Sequence, residues 1–489
     1  MRKILSSEDI EKLEEGVCEV LEKVGFYCEN DEMLKAYGEA GAKVDFENKV
    51  AKFPARNIKG FAEAIRREDK SEWDKQVVGH DRMVIYSGYT PYNEDNGLKQ
   101  PPLPYMFHNL STYYHDDEKN EKRIGNINDF IELIKFGDTV HPQNGMGHAL
   151  SLVEGICPEI EQLEAALVLL EYSINPTGVY VQNLNQLEYL FEIEEIAGIK
   201  DPYWHWMANI PCSSPLKIEK VVCERYVYMV KTGIYPAKLT AMPVAGVNIP
   251  ITTAGSVVIM AAEFIVLWLA ARLIQSKKIP LVGMPVSGTM DMKKCDISFT
   301  AFDAAITRLS VCDFIKQWTG VKLSPGPGEW TPVKQPSVYN TLEKAYFAML
   351  SNWYTGCHPD IGVGHIDSGL TISPVQFLLD LDFTRSLKHL ESPKVNRDTM
   401  CIDTILDIGF GKAQNFLSSD HTIEHMKCSS WAPEFFTRCW SPENERKALS
   451  DALRRVREFK AAYRKPEGRE DILAKSKLVV ERARKKLCK

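Results

Sequence analysis

AKLTAMPVAGVNIPITTAGSVVIMAAEFIVLWLAARLIQSKKIPLVGMPV, residues 237–286, contains a short apolar run, a long apolar stretch and a second short apolar run. AKLTAMPV (237–244) and IPLVGMPV (279–286) have the length of buried strands, and the stretch over 253–276 has the length of a helix. A strand, a helix and a strand in that order form one unit of a parallel α/β fold.

The same alternation extends in both directions. Further candidate strands are MVIYSGY (83–89), QNGMGHAL (143–150), GVYVQNL (178–184), YWHWMANI (203–210), KLSPGPGE (322–329) and CHPDIGVGHI (357–366). Helical patterns fall between them near 127–138, 158–175, 187–198, 214–233, 296–319 and 336–354, and another follows near 372–390. Eight strands, each followed by a helix, predict a (β/α)8 TIM barrel over 76–440. Residues 1–75 read as a helical cap, in which Ser6 and Asp9 have capping-box spacing and a second helix follows Pro54. Residues 441–489 read as a helical extension broken at Pro466 and Gly468.

Composition removes several function classes. The net charge of −7 argues against general nucleic-acid binding. The charge is uneven: residues 441–489 carry 16 Lys/Arg against 8 Asp/Glu, leaving about −15 on residues 1–440. That extension is either a solvated helix or a docking surface for an acidic partner. The twelve cysteines form no CxxC pair, and the start MRKILSSEDIEKLEE has no apolar signal core, so reduced thiols in a cytoplasmic protein are expected. The apolar stretch over 249–274 is long enough for a membrane, but Glu263 stands at its centre and Arg272 near its end. A helix buried against the rest of the fold or a second subunit is the expected reading, with no membrane and a possible homo-oligomer.

Chemistry is sought at the strand ends, where such barrels keep it. Tyr86, Tyr89, Tyr92, Trp204, Trp206 and Trp330 are candidates for a cage around a quaternary ammonium, which has no N–H to donate and is recognised by ring faces; the alternative for each ring is packing. GPGEWTPVKQP (326–336) lacks the Lys-Ser/Thr of a phosphate loop and shapes a pocket wall instead. His358 and His365, with Asp360 and Asp367, could bind a carboxylate or a metal, but without metal-ligand spacing no metal site is assigned. His421-Thr-Ile-Glu424-His425 has the H-x-x-E-H order of inverted zinc peptidases, yet stands beyond the last candidate strand. No G-x-S-x-G elbow occurs.

Several segments together resemble the trimethylamine methyltransferase family. They are SSEDIEKLEEGVCEVLEKVGFYCEN (6–30) with AGAKVDFENKVAKFP (40–54), KRIGNINDF (122–130), NIPCSSPLKIE (209–219), PVAGVNIPITTAGSVVIMAAEFIVLWLA (243–270) and DHTIEHMKCSSWAPEFFTRCW (420–440). The resemblance makes HTIEH a family feature outside the barrel. It implies a (β/α)8 barrel that passes a methyl group to Co(I) on a partner corrinoid protein, with no cofactor bound tightly by the chain itself. The trimethylamine enzymes carry pyrrolysine in the stretch that here reads GPGEWTPVKQP, and this chain has ordinary residues there. The resemblance therefore implies the branch acting on quaternary amines of the glycine betaine type.

Strand-end position selects the candidate residues. Glu329 and His365 are the catalytic candidates, and Tyr89, Gln182, Asn209 and Trp330 the substrate-binding ones. Trp330 and Tyr89 are expected beside the ammonium with Glu329, while Gln182, Asn209 and His365 orient the substrate. The competing readings are a barrel enzyme of other chemistry, a betaine binder without turnover and, last, a zinc peptidase.

Overall fold

Asp9 donates its N–H to Ser6 Oγ at 3.2 Å and accepts the Ser6 N–H at 2.9 Å, so the capping box expected from sequence starts the Ser7–Lys23 helix. The computed structural model describes residues 2–70, 73, 110–142, 145–176, 178–200, 204–206, 210–233, 237–275, 279–326, 328, 330–356, 361–386, 393–411, 415–437 and 439–488. The candidate strand 83–89 lies outside them.

The N-terminal segment is joined to the rest by backbone pairing. Phe26–Cys28 pairs antiparallel with Val50–Lys52 and parallel with Lys217–Ile218. Asp313 Oδ2 accepts the N–H groups of Ile4 and Leu5 at 2.7 and 2.8 Å.

Parallel pairing follows chain order through the middle of the protein. Ser111 bridges Leu150, Val179–Tyr180 pairs with His205–Trp206, and Ala237–Ala241 lies between Ile210–Cys212 and Leu281–Pro285. Single bonds extend the series: His148 N–H reaches Gly178 O at 3.3 Å and Ser324 N–H reaches Gly283 O at 3.1 Å. Between these segments lie the helices Ile127–Val140, Glu161–Tyr172, Leu187–Ala197, Lys220–Thr232, Thr253–Ile274 and Phe302–Thr319. Val338–Thr355 and Pro374–Ser386 follow.

The candidate strands are shorter or less regular than expected: in the described part of 143–150 only Leu150 bridges, and 178–184 keeps Val179–Tyr180. The described part of 322–329 is irregular, because Pro325 supplies no N–H and Gly326 turns the chain with φ +77°. Of the strand expected over 357–366, residues 357–360 lie outside the described residues, and within 361–366 His365–Ile366 pairs antiparallel with Thr371–Ile372. A hairpin of Tyr113–Asp116 and Glu121–Ile124 was not expected, and Thr371–Ile372 lies parallel to its first strand.

The Thr253–Ile274 helix is apolar enough to span a bilayer by composition, but it is buried over most of its length within the protein. Its central Glu263 is fully buried and accepts Ser214 Oγ–H and Leu216 N–H, each at 2.9 Å. Glu263 thus ties the middle of the helix to the turn at 214–216, and Arg272 ties its end to Glu68.

The basic extension neither floats free nor stays unpaired. Pro442–Ala462 and Glu470–Leu487 form its two helices, and Arg457, Lys460, Lys465, Arg482, Arg484 and Lys486 pair with Glu118, Glu132, Glu171, Glu192, Glu164 and Glu188 of the body. Each exposed pair contributes little, but together they match a basic tail to an acidic body. The expectation of uniformly reduced thiols is also corrected. Cys157 and Cys488 form a disulfide across 331 positions, a pairing that folding alone brings together.

Candidate active site

The parallel strands end on one cavity of about 730 Å³. Its wall takes Tyr180, Gln182 and Asn183 from one strand end, and Pro211, Thr240, Met242 and Met284 from the next three. Register explains the grouping, because Thr240 lies opposite Pro211 on one side and Met284 on the other. Gln162 and Arg225 enter from helices, while Trp330 and Ser368–Leu370 close the far side. Ligands of parallel α/β folds bind at this end of the strands.

Trp330 sits on a loop shaped by close packing. A side chain at Gly326 would meet Met284 Sδ at 3.0 Å and the Trp330 ring at 3.3 Å, and one at Gly328 would meet Lys344 O at 2.6 Å. Glycine at both places lets the loop lie flat on its neighbours. Arg308, fully buried, clips the same region by donating to Ser287 O at 3.2 Å, to Pro325 O at 3.5 Å and to Phe299 O. Its guanidinium carbon lies 5.7 Å from the Trp330 ring centroid and 4.5 Å from that of Phe347. Beneath the loop, Lys344 Nζ pairs with Asp380 Oδ2 at 2.5 Å, both side chains fully buried. Asp380 also accepts from Thr341 Oγ1, Gln376 Nε2 and Gly364 N at 2.6, 2.8 and 2.9 Å.

The helix side of the cavity is polar. Glu161 is buried and accepts from Leu152 N–H and Gln162 Nε2, with His148 Nε2 at 2.9 Å. Burial works against its charge, but the adjacent His148 and these donors outweigh it and hold the carboxyl below its ordinary range. Gln162 Nε2 is thereby committed, and its Oε1 has no partner. Arg225 donates Nη1 to Val181 O at 3.2 Å.

Of the residues selected from sequence, Trp330 and Gln182 share this cavity. His365 is buried in its short strand, where its carbonyl accepts Asn340 Nδ2 at 3.3 Å, and it is not among the lining residues. Tyr89, Asn209 and Glu329 lie outside the described residues, as do Tyr86, Tyr92, His358 and Asp360. Trp204 is a packing residue whose Nε1 donates to Pro176 O at 3.2 Å. Asp367 pairs with Lys122. Sequence reading missed Gln162, Tyr180, Arg225, Thr240, Met242 and Met284. The one available signal was Arg225, a charge flanked by Cys223, Tyr226 and Val227 on a helix that buries all four.

His421 and His425 stack on the Asp420–Ser429 helix with ring centroids 4.4 Å apart, and His425 Nε2 lies 3.4 Å from Asp398 Oδ2. No third ligand joins them among the described residues, where metal-ligating atoms gather in threes at Cys157, Glu159 and Cys488, two of which are bonded to each other.

A family model described as "Trimethylamine methyltransferase (MTTB)" matches residues 105–487. The chain is 23% identical over 435 residues to trimethylamine methyltransferase MttB of Desulfitobacterium hafniense, covering 87% of this chain and 82% of the relative. It is also 23% identical over 479 residues to L-carnitine:corrinoid methyltransferase of Eubacterium limosum, covering 92% and 90%.

Proposed function

As the chain belongs to the trimethylamine methyltransferase family, we propose that it moves a methyl group from a quaternary amine to the reduced cobalt of a corrinoid carried by a partner protein. The observation that carries this reading is Trp330, closely packed in the wall of the cavity at the strand ends. An indole face stabilises a permanent cation that offers no hydrogen bond, and Met242 and Met284 continue the apolar surface beside it. The relative named for L-carnitine and corrinoid supports the same assignment.

The acceptor corrinoid is a second substrate and supplies the nucleophile. Attack on the methyl carbon from the side opposite nitrogen breaks the C–N bond, and its electron pair leaves with nitrogen as a neutral tertiary amine. No proton is needed by that leaving group. The chain's residues therefore have to desolvate the ammonium, hold it against Trp330 and aim one methyl at the mouth of the cavity. Gln182, which lines the same cavity, is our candidate for orienting the rest of the molecule. The stretch 326–336 holds only ordinary residues, which fits a substrate already activated by its charge.

The parallel steps from Ser111 to Ser324, with a helix between successive segments, support a (β/α)8 barrel as the scaffold. The test is to mix the protein with reduced corrinoid protein and a panel of quaternary amines, and to follow the corrinoid absorbance. Methylation with at least one of them is expected. Binding of a betaine with no methylation would leave a binder without turnover.

A further inference from the structure

The last helix returns the chain to the rim of the strand-end cavity. Glu470–Leu487 ends at Cys488, which meets Cys157 at the start of the Pro158–Ile160 turn, and Pro158 and Glu159 of that turn line the cavity. Cys157, Glu159 and Cys488 bring their ligand atoms within 4.8 Å of one another. Both cysteines are half-buried and Glu159 is exposed, so small ions and reductants reach the group from solvent.

Glu159 is the informative member. One of its carboxylate oxygens lies 3.0 Å from Cys157 Sγ, and it has no other hydrogen bond or ion pair among the described residues. A disulfide sulfur carries no proton, so the carboxylate gains no hydrogen bond there while the bond is closed. Once the bond is open, that sulfur becomes a donor to the oxygen or, as a thiolate, its fellow ligand to a cation. Two thiolates and a carboxylate suit Zn²⁺ in tetrahedral geometry, with water in the fourth position. The Cα atoms of the two cysteines are 6.3 Å apart, within disulfide range and close enough for both sulfurs to reach one ion.

We propose that Cys157, Cys488 and Glu159 bind one Zn²⁺ in the reduced protein, so that the last helix is clasped to the cavity rim by a disulfide when oxidised and by metal when reduced. A dithiol opens the bond by exchange. It becomes its own disulfide, its two hydrogens pass to Cys157 and Cys488, and Zn²⁺ then displaces the two thiol protons. No CxxC pair marks the site, because its second thiol comes from 331 positions away. The site does not depend on the methyltransferase reading.

The test uses the full chain, reduced with a phosphine in the presence of a chelator and freed of both before Zn²⁺ is added. Calorimetry should find one Zn²⁺ per reduced chain and none at this site in the oxidised chain. Co²⁺ in place of Zn²⁺ should give a thiolate-to-metal absorption band in the near ultraviolet. Loss of a group that merely orients a ligand costs about 10- to 100-fold in metal affinity, so Cys157→Ser and Cys488→Ser, which remove ligands, should each cost more than about 100-fold. Glu159→Gln, at an exposed position, should cost about 10-fold. In limited proteolysis the reduced chain should keep its last helix longer with Zn²⁺ than with chelator. Equal Zn²⁺ binding by reduced wild type and Cys488→Ser would put the ion at another cysteine, such as the exposed Cys295 or Cys439, and overturn the site. So would equal binding by the oxidised and reduced chains, unchanged affinity in Glu159→Gln, or no binding at all.

Discussion

Glu263→Gln should make the protein less sensitive to alkali. Glu263 is fully buried at the middle of the Thr253–Ile274 helix and accepts two hydrogen bonds from the 214–216 turn. Burial pushes its carboxyl up to about 7, against the smaller opposing effect of those donors. Relative to an ordinary value of 4.5, that change makes the charged form about 3 kcal/mol less favourable in the folded protein than in the unfolded chain. The folded state binds the extra proton between pH 4.5 and about 7, so stability declines as pH rises through that window and the full cost is present above it. Glutamine imitates the protonated acid: its oxygen accepts Leu216 N–H and its amide donates to Ser214 Oγ. Urea unfolding at pH 5 should therefore find the two proteins nearly equal. At pH 8.5 Glu263→Gln should be more stable by about 3 kcal/mol. A difference that stays constant between these pH values would refute the reasoning.

Asp380→Asn leaves the fully buried Lys344 ammonium without its counter-charge, and should cost about 3–5 kcal/mol in unfolding free energy. A loss below about 1 kcal/mol would show that the pair is dispensable. Cys488→Ser, or reduction, removes the covalent tie between the Glu470–Leu487 helix and the segment that carries Pro158 and Glu159 on the cavity rim. The expected loss is about 2–4 kcal/mol, with earlier proteolysis near the C-terminus. Identical melting with and without reductant would contradict it.

The helices were legible because their signals are local. Ser6 with Asp9, and Asn126 with Asp129, close capping boxes within four residues, and Pro466 with Gly468 mark the break between the last two helices. The strands were harder to bound, since most have two to five residues and a two-residue period cannot show itself over that length. The Tyr113–Asp116 hairpin escaped notice because its second strand, EKRI, is polar and exposed. Trp330 and Gln182 could be selected because a strand-end position is visible in sequence. Arg225 left only its apolar neighbours as a signal, because a charge within a helix is normally solvated, and it is the packing that shows this one lining a cavity. The disulfide was hidden for a related reason, as its two cysteines meet only through the docking of the last helix.

A quaternary amine whose N-methyl groups are all trideuterated offers the most direct test of methyl transfer. After a single turnover with reduced corrinoid protein, the cobalt-bound group should be found by mass spectrometry with all three deuteriums, together with one equivalent of the tertiary amine. Release of labelled formaldehyde, or recovery of unchanged amine beside unmethylated corrinoid, would contradict it.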